Sequence, residues 1–298
     1  MNAIEITSLG KIYKGKKFTS VEALKNLNLA VAQGEIFGFL GPNGAGKSTA
    51  IKSLVGLISP TCGSARIMGI DIRSSDARRR VGYLPENPAF YDYLSAEEYL
   101  VFVGKLFAMP EAFLREQCES VLKQLDLWDA RKRQIRSYSK GMVQRIGLAQ
   151  VLIHDPDVYI LDEPMSGLDP IGRALVKDIM LALKKRGKTV FFSTHITADV
   201  ETVCDRVGII FKGELKSVER VDSILREGVI GYNVQIRKTG EEKLIESYVP
   251  KKDLHTLMQK IAYEGAEITL IEPCRKNLEE FFLDIVKNAD SKSSNNNG

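Results

Sequence analysis

Gly41-Pro42-Asn43-Gly44-Ala45-Gly46-Lys47-Ser48 is the stretch that decides the fold. Its spacing is G-x-x-x-x-G-K-[ST], a loop suited to holding phosphate. It follows the apolar run Glu35–Leu40 and opens the helical segment Lys47–Ile58, the strand-to-helix context such a loop needs. The glycines let the backbone curl, so successive N–H groups from Gly41 to Gly46 point at phosphate oxygens. The helix starting near Lys47 adds the positive end of its dipole. Lys47 brings a point charge to the β- and γ-phosphates, Ser48 a hydroxyl for Mg²⁺, and Thr49 a further phosphate contact. The competing reading is a glycine-rich turn with no ligand. Average residue frequencies produce the pattern by chance in only about one chain in a hundred of this length.

Outward from this loop, strand-like and helix-like segments alternate to about residue 217. Strands are expected at Glu35–Leu40, Val81–Leu84, Val158–Leu161, Thr189–Ser193 and Val207–Phe211. Helices are expected at Lys47–Ile58, Lys140–Ile153 and Ile171–Lys185. Short apolar runs of this kind suit strands covered on both faces, and the alternation predicts an α/β layer with a mostly parallel sheet. The run Val158-Tyr-Ile-Leu ends in two acids, Asp162 and Glu163. Carboxylates at the tip of a buried strand are costly unless a cation or water chemistry uses them. Beside a phosphate loop, Asp162 is suited to holding Mg²⁺ through its waters and Glu163 to polarising an attacking water. His195 follows the strand Thr189–Ser193, on the ligand side of a parallel sheet, within reach of a γ-phosphate or that water. His154 and His255 have no such context and read as structural.

Length and composition bound the rest. The 298 residues favour one or two domains, and 44% apolar with 27% charged residues excludes wholesale disorder. Lys and Arg number 42 against 38 Asp and Glu, too small a surplus to argue for nucleic acid. No apolar run is long enough to span a bilayer, and the N-terminus carries no secretory pattern. The four cysteines, Cys62, Cys118, Cys204 and Cys274, are scattered and read as reduced thiols. From about Glu86 to Ser139 the pattern is a helical insert, opened by the capping box Ser95-Ala96-Glu97-Glu98 with Leu94 as staple. Its basic cluster Arg131, Lys132, Arg133 and Arg136 reads as a solvated face. After about Val218 the pattern restarts, with strand-like Val229–Arg237 and Glu267–Ile271 and helix-like Lys251–Glu264 and Leu278–Val286. Residues 291–298 are polar and low in complexity, and a disordered tail is expected there.

Taken together, these motifs resemble the ATPase subunit of ATP-binding cassette (ABC) transporters, over residues from about 3 to 217. The deciding element is Tyr138-Ser139-Lys140-Gly141-Met142 with Val143-Gln144-Arg145, which resembles the family's signature loop, usually Leu-Ser-Gly-Gly-Gln, at the start of a helix. Ser139 and Gly141 keep the pattern, while Lys140 and Met142 depart from it. The resemblance implies a P-loop NTPase cassette, with a RecA-like parallel core, an antiparallel β edge and a helical subdomain at about 86–139. It gives a domain of residues 1–217, a small α+β appendage at 218–290 and the tail beyond. It implies that Tyr13 stacks on adenine, and that Ser166-Gly167-Leu168-Asp169 touches a partner subunit. Glu86 stands where most cassettes carry a Gln that contacts Mg²⁺ and senses the γ-phosphate.

The resemblance further implies that ATP and Mg²⁺ are the ligands, and that Lys47, Glu163 and His195 act at the reacting centre. Nucleotide contacts fall to Tyr13, residues 41–49, Glu86, Ser139, Gly141 and Asp162, with Ser48, Asp162 and Glu86 toward the metal. Two copies are expected to pair head-to-tail around ATP and to drive a separate transmembrane permease from the cytoplasmic face of the cell membrane. The Glu86 variant, the appended segment and Asn277-Leu278-Glu279-Glu280-Phe281-Phe282 resemble the exporter branch with separate membrane subunits. Soluble cassette ATPases of translation or DNA repair fit poorly, because the chain has one phosphate loop and no sustained heptads. A small-molecule P-loop kinase would need neither Ser139-Lys140-Gly141 nor a carboxylate directly after Asp162 and a later His195.

Overall fold

In the computed structural model, five strands run parallel with their C-terminal ends turned toward the phosphate loop: β3 (Ile36–Leu40), β6 (Val81–Leu84), β7 (Val158–Asp162), β8 (Thr189–Thr194) and β9 (Arg206–Phe211). With β10 (Glu214–Arg220) they form a six-stranded sheet in the order β10-β9-β3-β8-β7-β6. A second, antiparallel sheet has the order β2-β1-β4-β5, from β1 (Asn2–Lys14), β2 (Ser20–Ala32), β4 (Cys62–Ile67) and β5 (Ile70–Asp71). The structure describes residues 1–15, 19–227, 229–237, 244–264, 266–275 and 277–294.

The middles of the parallel strands are apolar because both faces are covered. Tyr159, Leu161, Val190 and Phe192 face a core shared with the helices α3 (Ala96–Leu106), α4 (Glu111–Gln124), α5 (Lys140–Leu152) and α6 (Pro170–Lys185). Their alternates Val158, Ile160 and Phe191 face a second core with α1 (Lys47–Leu54) and the antiparallel sheet. The short helices α2 (Ser75–Arg79) and α7 (Thr197–Val203) complete this unit. Phe191 is fully buried and lies 5.7 Å from Phe37, stacked at 5°, and 5.4 Å from Phe39.

Several boundaries follow from local chemistry. The helix after the phosphate loop ends at Leu54, short of the expected Ile58, because Gly56 adopts φ 73°. Gly56 N–H donates to Ser53 O (3.1 Å) and Leu57 N–H to Lys52 O (2.9 Å), a left-handed glycine stop. The capping box forms as expected at α3, with Ser95 N–H donating to Glu98 Oε2 at 2.8 Å. His154 is a packing residue, its ring stacked 3.8 Å from Phe107, and burial pushes its pKa down.

Residues 1–218 form one compact unit and residues 219–298 another. The second holds a three-stranded antiparallel sheet, β12-β11-β13, from β11 (Val229–Arg237), β12 (Leu244–Pro250) and β13 (Glu267–Arg275). Its helices are α8 (Val221–Glu227), α9 (Leu254–Glu264) and α10 (Leu278–Ser294). The expected tail is corrected in part. The helix α10 runs through residues 291–294, since an established helix extends at low cost through polar residues. Residues 295–298 lie outside the described residues.

Phe191→Ala removes a ring from between the two sheets and is expected to cost about 3–5 kcal/mol of stability. Urea unfolding followed by the fluorescence of the single tryptophan, Trp128, which packs in the first unit, measures it.

Candidate nucleotide-binding and hydrolysis site

The loop 41–46 leaves β3 and enters α1 through positions that only glycine fits. Gly46 has φ 109°, and a Cβ there would stand 2.6 Å from the carbonyl oxygen of Ala23. A Cβ on Gly41 would stand 2.4 Å from Ile210 O. The loop therefore runs tight against β2 and β9, leaving its open side as a cavity of about 500 Å³. The cavity is lined by residues 42–49, by Glu86, Glu163, Ser166 and His195, and by Ala23. Its volume lies in the range of small-ligand sites.

Lys47 is buried, with 6% of its side chain exposed. Its Nζ donates to Gly41 O at 2.7 Å and Pro42 O at 3.3 Å, and lies 3.3 Å from Glu163 Oε1. Glu163 follows the end of β7 in a left-handed conformation, φ 49°. Both its carboxylate oxygens lie 3.1 Å from His195 Nδ1. Ser193, at the end of β8, accepts from Glu163 N–H at 3.0 Å and donates to Asp162 Oδ1 at 2.5 Å. Tyr83 on β6 has its hydroxyl pKa pushed up to about 12, first by burial and then by the charge of Asp162. The cluster thus holds a cation, a carboxylate and an imidazole at one cavity wall, the grouping needed to bind anionic oxygens and polarise water.

The oxygen donors also suit Mg²⁺. Ser48 and Glu86 line the cavity, and Asp162 is buried at the adjacent strand end. Among the described residues no three His, Cys, Asp or Glu side chains cluster as a metal site.

Not every expected residue comes to this cavity. Tyr13 lies on β1, 40% exposed and outside the lining, with Lys11 Nζ 5.2 Å above its ring. Ser139 and Gly141 open α5 and are also outside the lining; Ser139 Oγ caps the helix by accepting from Met142 N–H at 3.3 Å. Lys140 lies across Gly167, where a Cβ would stand 2.6 Å from Lys140 Cε at φ 71°. Asp169 caps α6 by accepting from Gly172 N–H at 2.7 Å. Arg173 on α6 reaches both oxygens of buried Asp199 on α7 at 2.7 Å, tying together the helices that follow the acidic and histidine loops.

The sequence reading gave no separate role to Ser193, Gln144 or Ala23. Gln144 is buried on α5 and donates to Pro164 O at 3.1 Å, which anchors the loop after Glu163. A buried amide or hydroxyl in an apolar run is the one local signal such residues leave.

The sequence profile of the ABC transporter family matches residues 24–166. An uncharacterised ABC transporter ATP-binding protein of Synechocystis sp. is 41% identical, over 95% of this chain and 84% of its own length. This chain belongs to the ABC transporter ATP-binding proteins. The bacitracin transport ATP-binding protein of Bacillus licheniformis is 40% identical over 71% of this chain and 68% of its own length. Among solved structures, a dimeric ATP-binding cassette in a post-hydrolysis state, bound to ADP and Pi, superposes with a TM-score of 0.68 at 26% identity. The match covers 73% of this chain and 98% of that one. The chain is thus an ABC ATPase, the nucleotide-binding subunit of a transporter, with the P-loop NTPase fold.

Lys47→Ala is expected to weaken ATP binding by at least about a hundredfold, since a buried charge-assisted contact is lost. Isothermal calorimetry on the folded variant measures it; unchanged affinity would remove Lys47 from the site.

Proposed function

We propose that this ATPase works as a head-to-tail pair that drives a separate membrane permease, and that it belongs to an exporter. The observation that carries the pairing is the separation of two nucleotide-facing sets within one chain. Lys47, Glu163 and His195 share one cavity, whereas Ser139 and Gly141 lie outside its lining. Two copies related by a twofold axis would bring the α5 start of each to the phosphate loop of the other, giving two equivalent sites. Among the described residues no helix is long and apolar enough to cross a membrane, so the reading assigns the membrane pathway to another chain. The ATPase would then sit on the cytoplasmic face of the cell membrane, with the helical insert 86–139 facing the permease. Export rather than import rests on Glu86, the appended unit and the 277–282 sequence, all of which resemble that branch. The Bacillus licheniformis relative is named for bacitracin transport, and this supports a transport role for the present chain.

In this reading residues 41–49 and Lys47 hold the β- and γ-phosphates, and Tyr13 stacks on the base from the exposed antiparallel sheet. Ser48 and Asp162, with Glu86, hold Mg²⁺, which when bound neutralises phosphate charge and orients the leaving group. Glu163 accepts the proton of the attacking water, and His195, 3.1 Å away, orients the carboxylate and reaches the γ-phosphate. Catalysis is then chiefly positioning and electrostatics. Loss of the γ-phosphate removes contacts that hold the pair closed, and reopening follows.

Glu163→Gln should keep ATP binding, lower turnover by about a hundredfold or more, and accumulate as an ATP-dependent dimer. Light scattering with and without ATP reads the dimer, and phosphate release reads turnover. Wild-type turnover in this variant would remove Glu163 as the base. Specific activity independent of protein concentration, in a chain that stays monomeric, would remove the pairing.

A further inference from the structure

Ser193 is fully buried at the end of β8, opposite Asp162 in the parallel register of β7 and β8. Its hydroxyl stands between two groups with opposite needs. The Asp162 carboxylate accepts only, and takes the hydroxyl proton at 2.5 Å. The Glu163 amide donates only, and gives its N–H to the hydroxyl oxygen at 3.0 Å. An atom that both donates and accepts is therefore required at this point. In a side chain short enough for the gap, a hydroxyl meets that requirement.

The bridge has consequences for both acids. Glu163 turns out of the sheet at φ 49°, a left-handed conformation that a glutamate adopts only when held. Capture of its N–H by Ser193 holds that turn, and the turn aims the carboxylate at His195 and Lys47. On the other side the bridge occupies Asp162 Oδ1, which fixes the carboxylate plane and leaves Oδ2 as the oxygen for a metal shell. We infer that Ser193 is a positioning residue for ATP hydrolysis, its hydroxyl setting the mutual orientation of the metal-side acid Asp162 and the water-side acid Glu163. This rests on the roles proposed above for those two acids. Ser193 itself is outside the cavity lining.

A hydroxyl that merely closed a strand end would cost stability when removed and leave the chemistry intact. Ser193→Ala and Ser193→Thr in the full-length chain separate the two roles. Steady-state ATPase assays give kcat and KM, calorimetry gives ADP affinity with and without Mg²⁺, and Trp128 fluorescence reports folding. For Ser193→Ala the expected result is a fall in kcat of about tenfold or more, with KM for ATP within about threefold. ADP affinity without Mg²⁺ should hold, while the gain on adding Mg²⁺ shrinks severalfold. Ser193→Thr restores both donor and acceptor and should recover most of kcat, whatever its melting point. A folded Ser193→Ala with wild-type kcat overturns the inference, as does an equal loss of kcat in a folded Ser193→Thr. If the threonine variant does not fold, an unchanged Mg²⁺ gain in Ser193→Ala overturns it. Glu163→Gln run alongside keeps the two readings apart. Full activity there defeats the base assignment itself, whereas an inactive Glu163→Gln beside a fully active Ser193→Ala defeats only the role of Ser193.

Discussion

The buried ammonium of Lys47 is the constraint on which the rest of the molecule depends. A cation taken out of water costs several kcal/mol unless it is surrounded by acceptors. Here the acceptors come from the carbonyls of Gly41 and Pro42 and from the Glu163 carboxylate. They lie at the ends of two different strands, β3 and β7, separated by more than a hundred residues of chain. The two strands are not neighbours; β8 lies between them. In this sheet β3, β8 and β7 all finish on one side, because their pairing is parallel. The end of β8 carries the polar groups Ser193 and Thr194, both buried, and Ser193 holds the Glu163 backbone N–H.

Much of this was legible in the sequence, and the parts that were not have physical reasons. The parallel strands announce themselves because they are covered on both faces and read as unbroken apolar runs. The strands β1 and β2 do not, because their pairing shifts register at four points, between Asn2 and Ile4, Ile6 and Leu9, Leu9 and Lys11, and Lys11 and Ile12. Each shift resets the alternation of period two on which strand reading depends. Ser8 and Asn26, both near φ 49°, mark the same irregularity. The α1 boundary was overestimated because apolar Leu57 and Ile58 continue the pattern past a glycine that stops the backbone.

The phosphate loop and the acids at 162 and 163 were legible because contiguous residues carry their chemistry. Ser193 was not, because its function lies in two hydrogen bonds that span about thirty residues of sequence. Tyr13 belongs to a third category. The structure places it on an exposed sheet beside Lys11, so its stacking role rests on family resemblance and not on cavity geometry. Lys140 and Gly167 are the converse, residues whose relation the structure reveals and the sequence conceals.

That last pair has a consequence for re-engineering. The lysine tip lies where any larger residue at 167 would put its first carbon, and both positions are exposed, so that tip can swing away into solvent. Grafting the loop of another cassette at 138–142 would leave only solvent where the lysine tip now lies. Placing a side chain at 167 would displace the lysine and strain the left-handed backbone there, φ 71°. The backbone turn at 167, and not the lysine, is therefore what a loop exchange between cassettes has to preserve.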